Sequence, residues 1–427
     1  GKLVIATGPV GQVRAIRRSS GEWVDFIIRG DEWVAYDQDG TFDASRGGAE
    51  LMRIAVGGNA YRVDQFSMTH NQPHQLLERL GLGSSAAARE LAAMHAQRLA
   101  KGGVVDPAGA TNFEDSPQVE IVATAAGDNV KLDVRLRAMR GELSSYQVFV
   151  NGVGVYAGRG KILSGVTHQV EETIRLSSGP NIVEVSAIDR AGRESLRASH
   201  TVNGRPPGAR TLYFLGIAVA DYADDSLDLD YSVKDVEDLA RSLGRVTGFR
   251  RIEVKTLTNA EVTPKSVADA RAFLERAEVD DIVVVALSGH GMYSQEAAPR
   301  YFFLTHGADV TRLAETAAPF ELIEGLVDGL AARQKLVLLD TCESGEWIGE
   351  TSRDSRSKAA AGLKPRGIAR TKVTSGAGPL SLSGGGRAAH RRDPTRLIYA
   401  DVFRRTGAIV FSSSQAGQAS YESAVHK

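Results

Sequence analysis

The chain has 427 residues, 42% of them apolar and 24% charged, with a net charge of −1 and one cysteine. At about 100–200 residues per domain this predicts two to four domains, and the near-zero charge excludes a general electrostatic attraction to nucleic acid or anionic membrane. No apolar run approaches the roughly 20 residues that span a bilayer, and one cysteine excludes both an internal disulfide and a cysteine-rich metal site. A reducing, cytoplasmic setting is therefore expected. The opening Gly1-Lys2-Leu3-Val4-Ile5 carries no signal-peptide pattern. The missing initiator Met fits a processed chain or a fragment, from which a targeting segment could have been lost.

Residues 1–73 read as β-rich. Lys2 to Thr7, Val13 to Arg17, Trp23 to Arg29 and Glu32 to Tyr36 are short apolar or alternating runs divided by Gly, Ser and Asp. Residues 74–116 turn helical: Leu76, Leu77, Leu80 and Leu82 cluster, and the Ala-rich run Ser85 to Lys101 stops at Gly102-Gly103. This segment is expected to be a connector. Residues 117–204 return to alternation, with Leu132, Val134 and Leu136 between Asp133, Arg135 and Arg137. Asn151-Gly152, between Tyr146–Val150 and Val153–Tyr156, is a two-residue hairpin signal. Several such strands predict an Ig-like sandwich. Gly154 to Lys161 has a faint phosphate-loop look, but its spacing is one residue too long and Ile162 stands where Ser or Thr is needed. Hairpin glycines are the better reading.

Pro206-Pro207-Gly208 reads as a linker. Beyond it, over 209–427, strands and helices alternate. Strands are expected at Leu212–Ala220, Arg251–Leu257, Asp281–Leu287, Tyr301–Leu304, Lys335–Asp340 and Ala408–Ser412. Helices are expected at Val233–Leu243, Ser266–Ala277, Pro319–Arg333 and Leu397–Arg404. This is an α/β pattern with a mostly parallel sheet, so the fold class is multidomain: all-β regions followed by an α/β domain. Residues 349–396 interrupt the pattern with a Gly-, Ser- and Ala-rich basic insertion, expected to be flexible.

Two apolar runs end in glycine-marked polar turns. Ile282 to Leu287 leads into Ser288-Gly289-His290-Gly291, and Leu336 to Leu339 into Asp340-Thr341-Cys342-Glu343-Ser344-Gly345. Buried parallel strands read as continuous apolar runs, so each run delivers one reactive side chain to the same sheet edge. A lone cysteine is by default a small buried hydrophobe. Placed opposite an imidazole it becomes a nucleophile, because the imidazole lowers the thiol pKa and can protonate the leaving amine. The adjoining glycines let the N–H groups of Gly291 and Cys342 approach a substrate carbonyl as oxyanion donors.

Ser-Gly-His-Gly after one strand and Asp-Thr-Cys-x-Ser-Gly after a later one resemble the caspase-like cysteine peptidase clan, in particular bacterial metacaspase relatives. The 52 positions between His290 and Cys342 match the spacing of about 50 known in caspases. The resemblance runs from Leu212 to Glu422. It implies a cysteine endopeptidase with His290 and Cys342 as catalytic dyad. Upstream, Trp33 to Ser45 resembles the segment that closes WD-repeat regions in bacterial caspase-like proteins, although one blade's worth of strands cannot make a propeller.

Asp340 stands two residues before Cys342, so both could share a face where the strand ends. A carboxylate lining a pocket attracts Arg or Lys. Through the resemblance Asp340, Asp235 and Ser288 correspond to pocket positions of metacaspases, whereas caspases that cut after Asp carry Gln where Asp340 stands. Asp235 has an equally good reading as a solvated first-turn helix residue favoured by the dipole. Cleavage after Arg or Lys is the expectation, and the basic insertion then offers sites for processing by the enzyme itself or by an upstream protease. Many metacaspases depend on calcium. Met292 to Leu313 offers only Glu296 and Asp309, and the acidic run Asp221, Asp224, Asp225, Asp228 and Asp230 reads as a solvated loop. No metal or other cofactor is therefore expected. Expected partners are protein substrates and an activating protease or regulator, not a membrane or a specific nucleic acid. Two other readings remain: a catalytically silent scaffold that binds partners through its β regions, and a peptidase of the same clan with another specificity.

Overall fold

The computed structural model describes residues 2–8, 11–45, 47–56, 58–104, 115–294, 300–341, 363–365, 395–413 and 421–423. The chain divides into two compact units, Gly1–Pro206 and Pro207–Lys427, with the division inside the Pro-Pro-Gly linker.

In the first unit, strands Leu3–Thr7, Gln12–Arg17, Trp23–Arg29, Glu32–Tyr36 and Phe42–Ala44 form one antiparallel meander. One face of this sheet buries Ala15, Val24 and Ala35 against Leu76 and Leu80, from the helix Pro73–Arg79 and its end. Arg79 ties that helix to the last turn of the meander through Asp37 and Asp39. Asp37 also shapes the turn, since its Oδ1 accepts the N–H groups of Asp39 and Thr41, each at 3.0 Å. The following helix, Ala86–Gly102, starts where the Ser85 hydroxyl accepts the Ala88 N–H and ends at left-handed Gly103.

Residues 118–203 of the same unit form two antiparallel sheets. One joins Gln118–Ala126, Asn129–Arg137 and Thr167–Arg175; the other is built on Leu143–Val150, Pro180–Asp189 and Ala198–Asn203. Alternate residues of both, among them Leu132, Val134, Leu136, Val148, Val183 and Val185, meet in one core. Asn151 and Gly152 both take positive φ, 54° and 78°, as a primed hairpin turn requires. Lys161 lies on a two-residue strand beside Tyr146 and pairs with Glu172 at 2.5 Å, in a hairpin rather than a phosphate loop.

The second unit holds a five-stranded sheet. Its strands are β1 (Thr211–Ala218), β2 (Arg251–Thr258), β3 (Ile282–Gly289), β4 (Gln334–Thr341) and β5 (Ala408–Ser412), in the order β2-β1-β3-β4-β5. Every neighbouring pair is parallel. The order reverses between β1 and β3, and ligand sites of such sheets lie outside the carboxyl ends at that point. Helix α1 (Ser232–Leu243) covers one face, with Val236 packed beside Leu212, Phe214, Val284 and Ala286. It comes so close that a Cβ on Gly216 would lie 2.3 Å from Val236 Cγ1. The other face buries Leu215, Val285 and Val337 against α2 (Pro264–Asp269), α3 (Arg271–Leu274), α4 (Phe320–Val327) and α5 (Thr395–Thr406).

Three expectations are corrected. The helix predicted at Ser266–Ala277 is two short ones, because Ala270 tightens to φ −62°, ψ −20°. The helix predicted to reach Arg333 stops at Val327, where Asp328 is extended and Gly329 takes φ +66°. The strand expected at Tyr301–Leu304 forms over Tyr301–Phe303, outside the main sheet, between Gly291–Tyr293 and Ala318–Pro319 in a small antiparallel sheet. The chain turns back directly after His290, and a parallel neighbour would have needed a crossover of about a dozen residues or more. Within the basic insertion, Leu363–Pro365 is a strand paired with Tyr421–Ser423; the rest of 349–394 lies outside the described residues. No described helix is long and apolar enough to cross a membrane.

Candidate active site

Strands β3 and β4 run in register to their carboxyl ends, with Ser288 opposite Asp340 and Gly289 opposite Thr341. The next residue along one strand is His290 and along the other Cys342. Cys342 itself lies outside the described residues.

His290 is 4% exposed. Its main chain is held twice: its N–H donates to the Tyr222 hydroxyl at 2.9 Å, and its carbonyl accepts the Leu304 N–H at 2.9 Å. Its ring is held too. Nε2 lies 2.8 Å from the Leu227 carbonyl, and the Tyr222 ring tilts against it at 5.2 Å between centroids. A carbonyl can only accept, so the partner assigns the hydrogen to Nε2 and makes Nδ1 the proton acceptor of the neutral imidazole.

The loop after β1 supplies these contacts. Asp224 caps the short turn Asp225–Leu227, accepting the Ser226 N–H at 3.0 Å, and this presents the Leu227 carbonyl. Asp228 accepts the Tyr222 N–H at 2.8 Å. Asn259, at φ 48°, takes the Ala220 and Asp221 N–H groups on its side-chain oxygen at 2.9 and 3.1 Å. The acidic run is therefore more than a solvated loop, since two of its carboxylates fold the chain around His290. The Ser226 hydroxyl and N–H hold the Asp224 carboxyl below its ordinary pKa. Among the described residues no group of three or more His, Cys, Asp or Glu side chains could hold a metal ion.

Gly289 is required locally. Its φ is +152°, and an added Cβ would stand 3.0 Å from the Tyr222 hydroxyl and 3.2 Å from the Phe303 ring. Gly291 opens the strand Gly291–Tyr293 and pairs with Phe303.

Ser288 and Asp340 face the side of the sheet that α1 covers, in phase with Val284 and Ala286 on β3 and with Leu336 and Leu338 on β4. Ser288 is buried, and its hydroxyl donates to Asp340 Oδ2 at 3.3 Å. Asp340 is half-buried. Asp235 is exposed in the first turn of α1, where its N–H bonds the Tyr231 carbonyl at 2.8 Å.

Sequence reasoning missed Tyr222, the Leu227 carbonyl and Asn259. Only Asn259 had a local signal: Thr258 and Glu261 form a capping box around it, and Asn is the commonest non-glycine residue at positive φ.

The family model of the caspase domain matches residues 214–427. No curated protein matches the chain. Among solved structures, the PKD1 domain of Epp from Vibrio anguillarum is 18% identical over 22% of this chain and 96% of its own, with a TM-score of 0.15. A polysaccharide deacetylase from Bacillus cereus is 12% identical over 57% of this chain and 77% of its own, with a TM-score of 0.14. Neither likeness is close enough to bear on the fold.

Proposed function

The chain belongs to the caspase-domain family of cysteine peptidases, and on that premise we propose an endopeptidase with Cys342 as nucleophile and His290 as acid–base partner, cutting after Arg or Lys. The observation that carries the reading is the His290 ring. It is fixed through Nε2 on the Leu227 carbonyl, one residue beyond the Gly289–Thr341 pair, and Cys342 follows Thr341 in the sequence. Nδ1 takes the thiol proton, and the thiolate attacks the substrate carbonyl. The imidazolium then returns the proton to the leaving amine, and water hydrolyses the thioester. The N–H groups of Gly291 and Cys342 would stabilise the oxyanion.

Asp340 is the specificity carboxylate in this proposal, oriented by Ser288, with Asp235 as an outer acidic group. Half-burial strengthens its attraction for a guanidinium or ammonium compared with a fully solvated site. The basic stretch 349–396 would then be cut by this pocket or by an upstream protease. We read the sandwich of residues 117–204 as an Ig-like, partner-binding region, and a cysteine that must stay a free thiol fits the cytoplasm.

Cleavage of a positional peptide library by wild type and Cys342→Ala, with and without calcium, tests the proposal. We expect cleavage after Arg and Lys, lost in the variant and unchanged by calcium. Cleavage after Asp with none after Arg overturns the specificity; cleavage that persists in Cys342→Ala overturns the nucleophile. Mass spectrometry of both proteins reads processing, and cuts within 349–396 that persist in the variant exclude self-cleavage.

A further inference from the structure

Strand Tyr301–Phe303 reaches both strand ends at this sheet edge, His290 after β3 and Thr341 at the end of β4. Beyond its carboxyl end the Leu304 N–H holds the His290 carbonyl at 2.9 Å. At its start the Tyr301 hydroxyl lies 2.5 Å from Thr341 Oγ1, at the last residue of β4. Tyr301 is 4% exposed and Thr341 fully buried. The Tyr301 ring is wedged between the rings of Tyr293, at 5.4 Å, and Phe320, at 5.9 Å. A short hydrogen bond between hydroxyls in so dry a place is directional, and a low local dielectric strengthens it.

This tie lies on the sheet face opposite the Ser288–Asp340 bond, because residues 340 and 341 point to opposite sides. The end of β4 is therefore gripped from both faces, at 3.3 Å on one and 2.5 Å on the other. A substrate carboxylate pocket needs only the first grip. The second joins the residue before Cys342 to the hairpin that begins beside His290.

Resting on the dyad reading above, we infer that Tyr301 and Thr341 are positioning residues: their hydroxyl bond fixes the departure of the chain into Cys342 relative to His290. A thiol–imidazole proton transfer needs hydrogen-bond reach, and an error of about 1 Å costs about 100-fold in such chemistry.

The chain has one cysteine, so iodoacetamide alkylation followed by intact mass spectrometry reads Cys342 alone and needs no peptide substrate. Its rate is measured against pH for wild type, His290→Ala, Tyr301→Phe, Thr341→Val, Thr341→Ser and the double variant Tyr301→Phe/Thr341→Val. We expect Tyr301→Phe and Thr341→Val each to slow alkylation at pH 7 about tenfold and to move its apparent pKa toward the free-thiol value of about 8.5. The double variant should be no worse than either single one, and Thr341→Ser should recover most of the rate. Peptide kcat should fall by a similar factor with KM within about twofold, as for an interaction that matters only in the reaction step. A wild-type profile in Tyr301→Phe, or a loss that only tracks the folded fraction seen by near-UV circular dichroism, overturns the inference. If wild type already behaves as a free thiol and His290→Ala changes nothing, the dyad reading falls, and the inference with it.

Discussion

Strand β4 carries two buried polar side chains on one face, Lys335 near its start and Thr341 at its end, and the fold treats them in opposite ways. Thr341 meets a tyrosine hydroxyl carried in by another element. Lys335 is 4% exposed, and its Nζ has no hydrogen-bond partner among the described residues. Burial, reinforced by Arg333, pushes its pKa down to about 7. The Arg333 side chain beside it also has nitrogens buried without a partner among those residues. At the carboxyl end of β4 the polar group is met by a neighbouring element; at its amino end the charge is suppressed instead. An edge whose hydrogen bonds are completed from several elements at once, by Tyr222, Leu227, Leu304 and Tyr301, has the make-up of a site held in one geometry.

The comparison is broken most severely at His290. His290→Ala removes the acid–base group of the proposed dyad and is expected to lower kcat on an Arg peptide by about a thousandfold or more, measured per folded molecule because emptying a buried, hydrogen-bonded ring site also lowers the melting temperature. Residual activity within about tenfold of wild type would mean that the well-ordered edge is scaffolding.

That much of the site was legible because it is local. An unbroken apolar run followed by Ser-Gly-His-Gly, and another followed by Asp-Thr-Cys, state both a buried parallel strand and its polar end in adjacent residues. The Asn151-Gly152 turn was legible for the same reason, since positive φ at two successive positions has few solutions. What orders His290 was not legible. Tyr222 and Leu227 act from 68 and 63 positions away, one of them through a backbone carbonyl that no residue type advertises. Tyr301 looked like one more strand residue, because its role depends on where a hairpin folds back and not on its neighbours in sequence. The early end of α4 was written in Asp328-Gly329, but an apolar period continuing through Leu330 outweighed it.

A milder test concerns the other grip on the same edge. Asp340→Asn keeps a hydrogen-bond acceptor for the Ser288 hydroxyl and removes the charge. We expect kcat/KM for Arg and Lys peptides to fall about 100-fold while alkylation of Cys342 stays close to wild type, separating substrate attraction from the chemistry of the dyad. Equal losses for basic and neutral peptides would assign Asp340 to the architecture of the edge instead.

The smallest effect is expected at the opposite edge, and it has the opposite sign. Lys335→Met replaces a buried ammonium with an apolar chain of similar length, so it should stabilise the protein by about 1–3 kcal/mol at neutral pH. The pH dependence follows from the lowered pKa. In the unfolded chain the lysine holds its proton up to its ordinary value of 10.5; in the folded chain it releases it near 7. Between those values the unfolded state binds more protons, so wild-type stability gains from this group as pH rises, and below about 7 the penalty is constant and complete. The methionine variant has no such slope. Its advantage should therefore be greatest at and below pH 7 and shrink steadily toward pH 10.5. Urea midpoints of both proteins at pH 6.5, 8 and 9.5 measure it. A difference that does not narrow across that range would mean that Lys335 keeps its charge in the folded state, and that the amino edge supplies a partner after all.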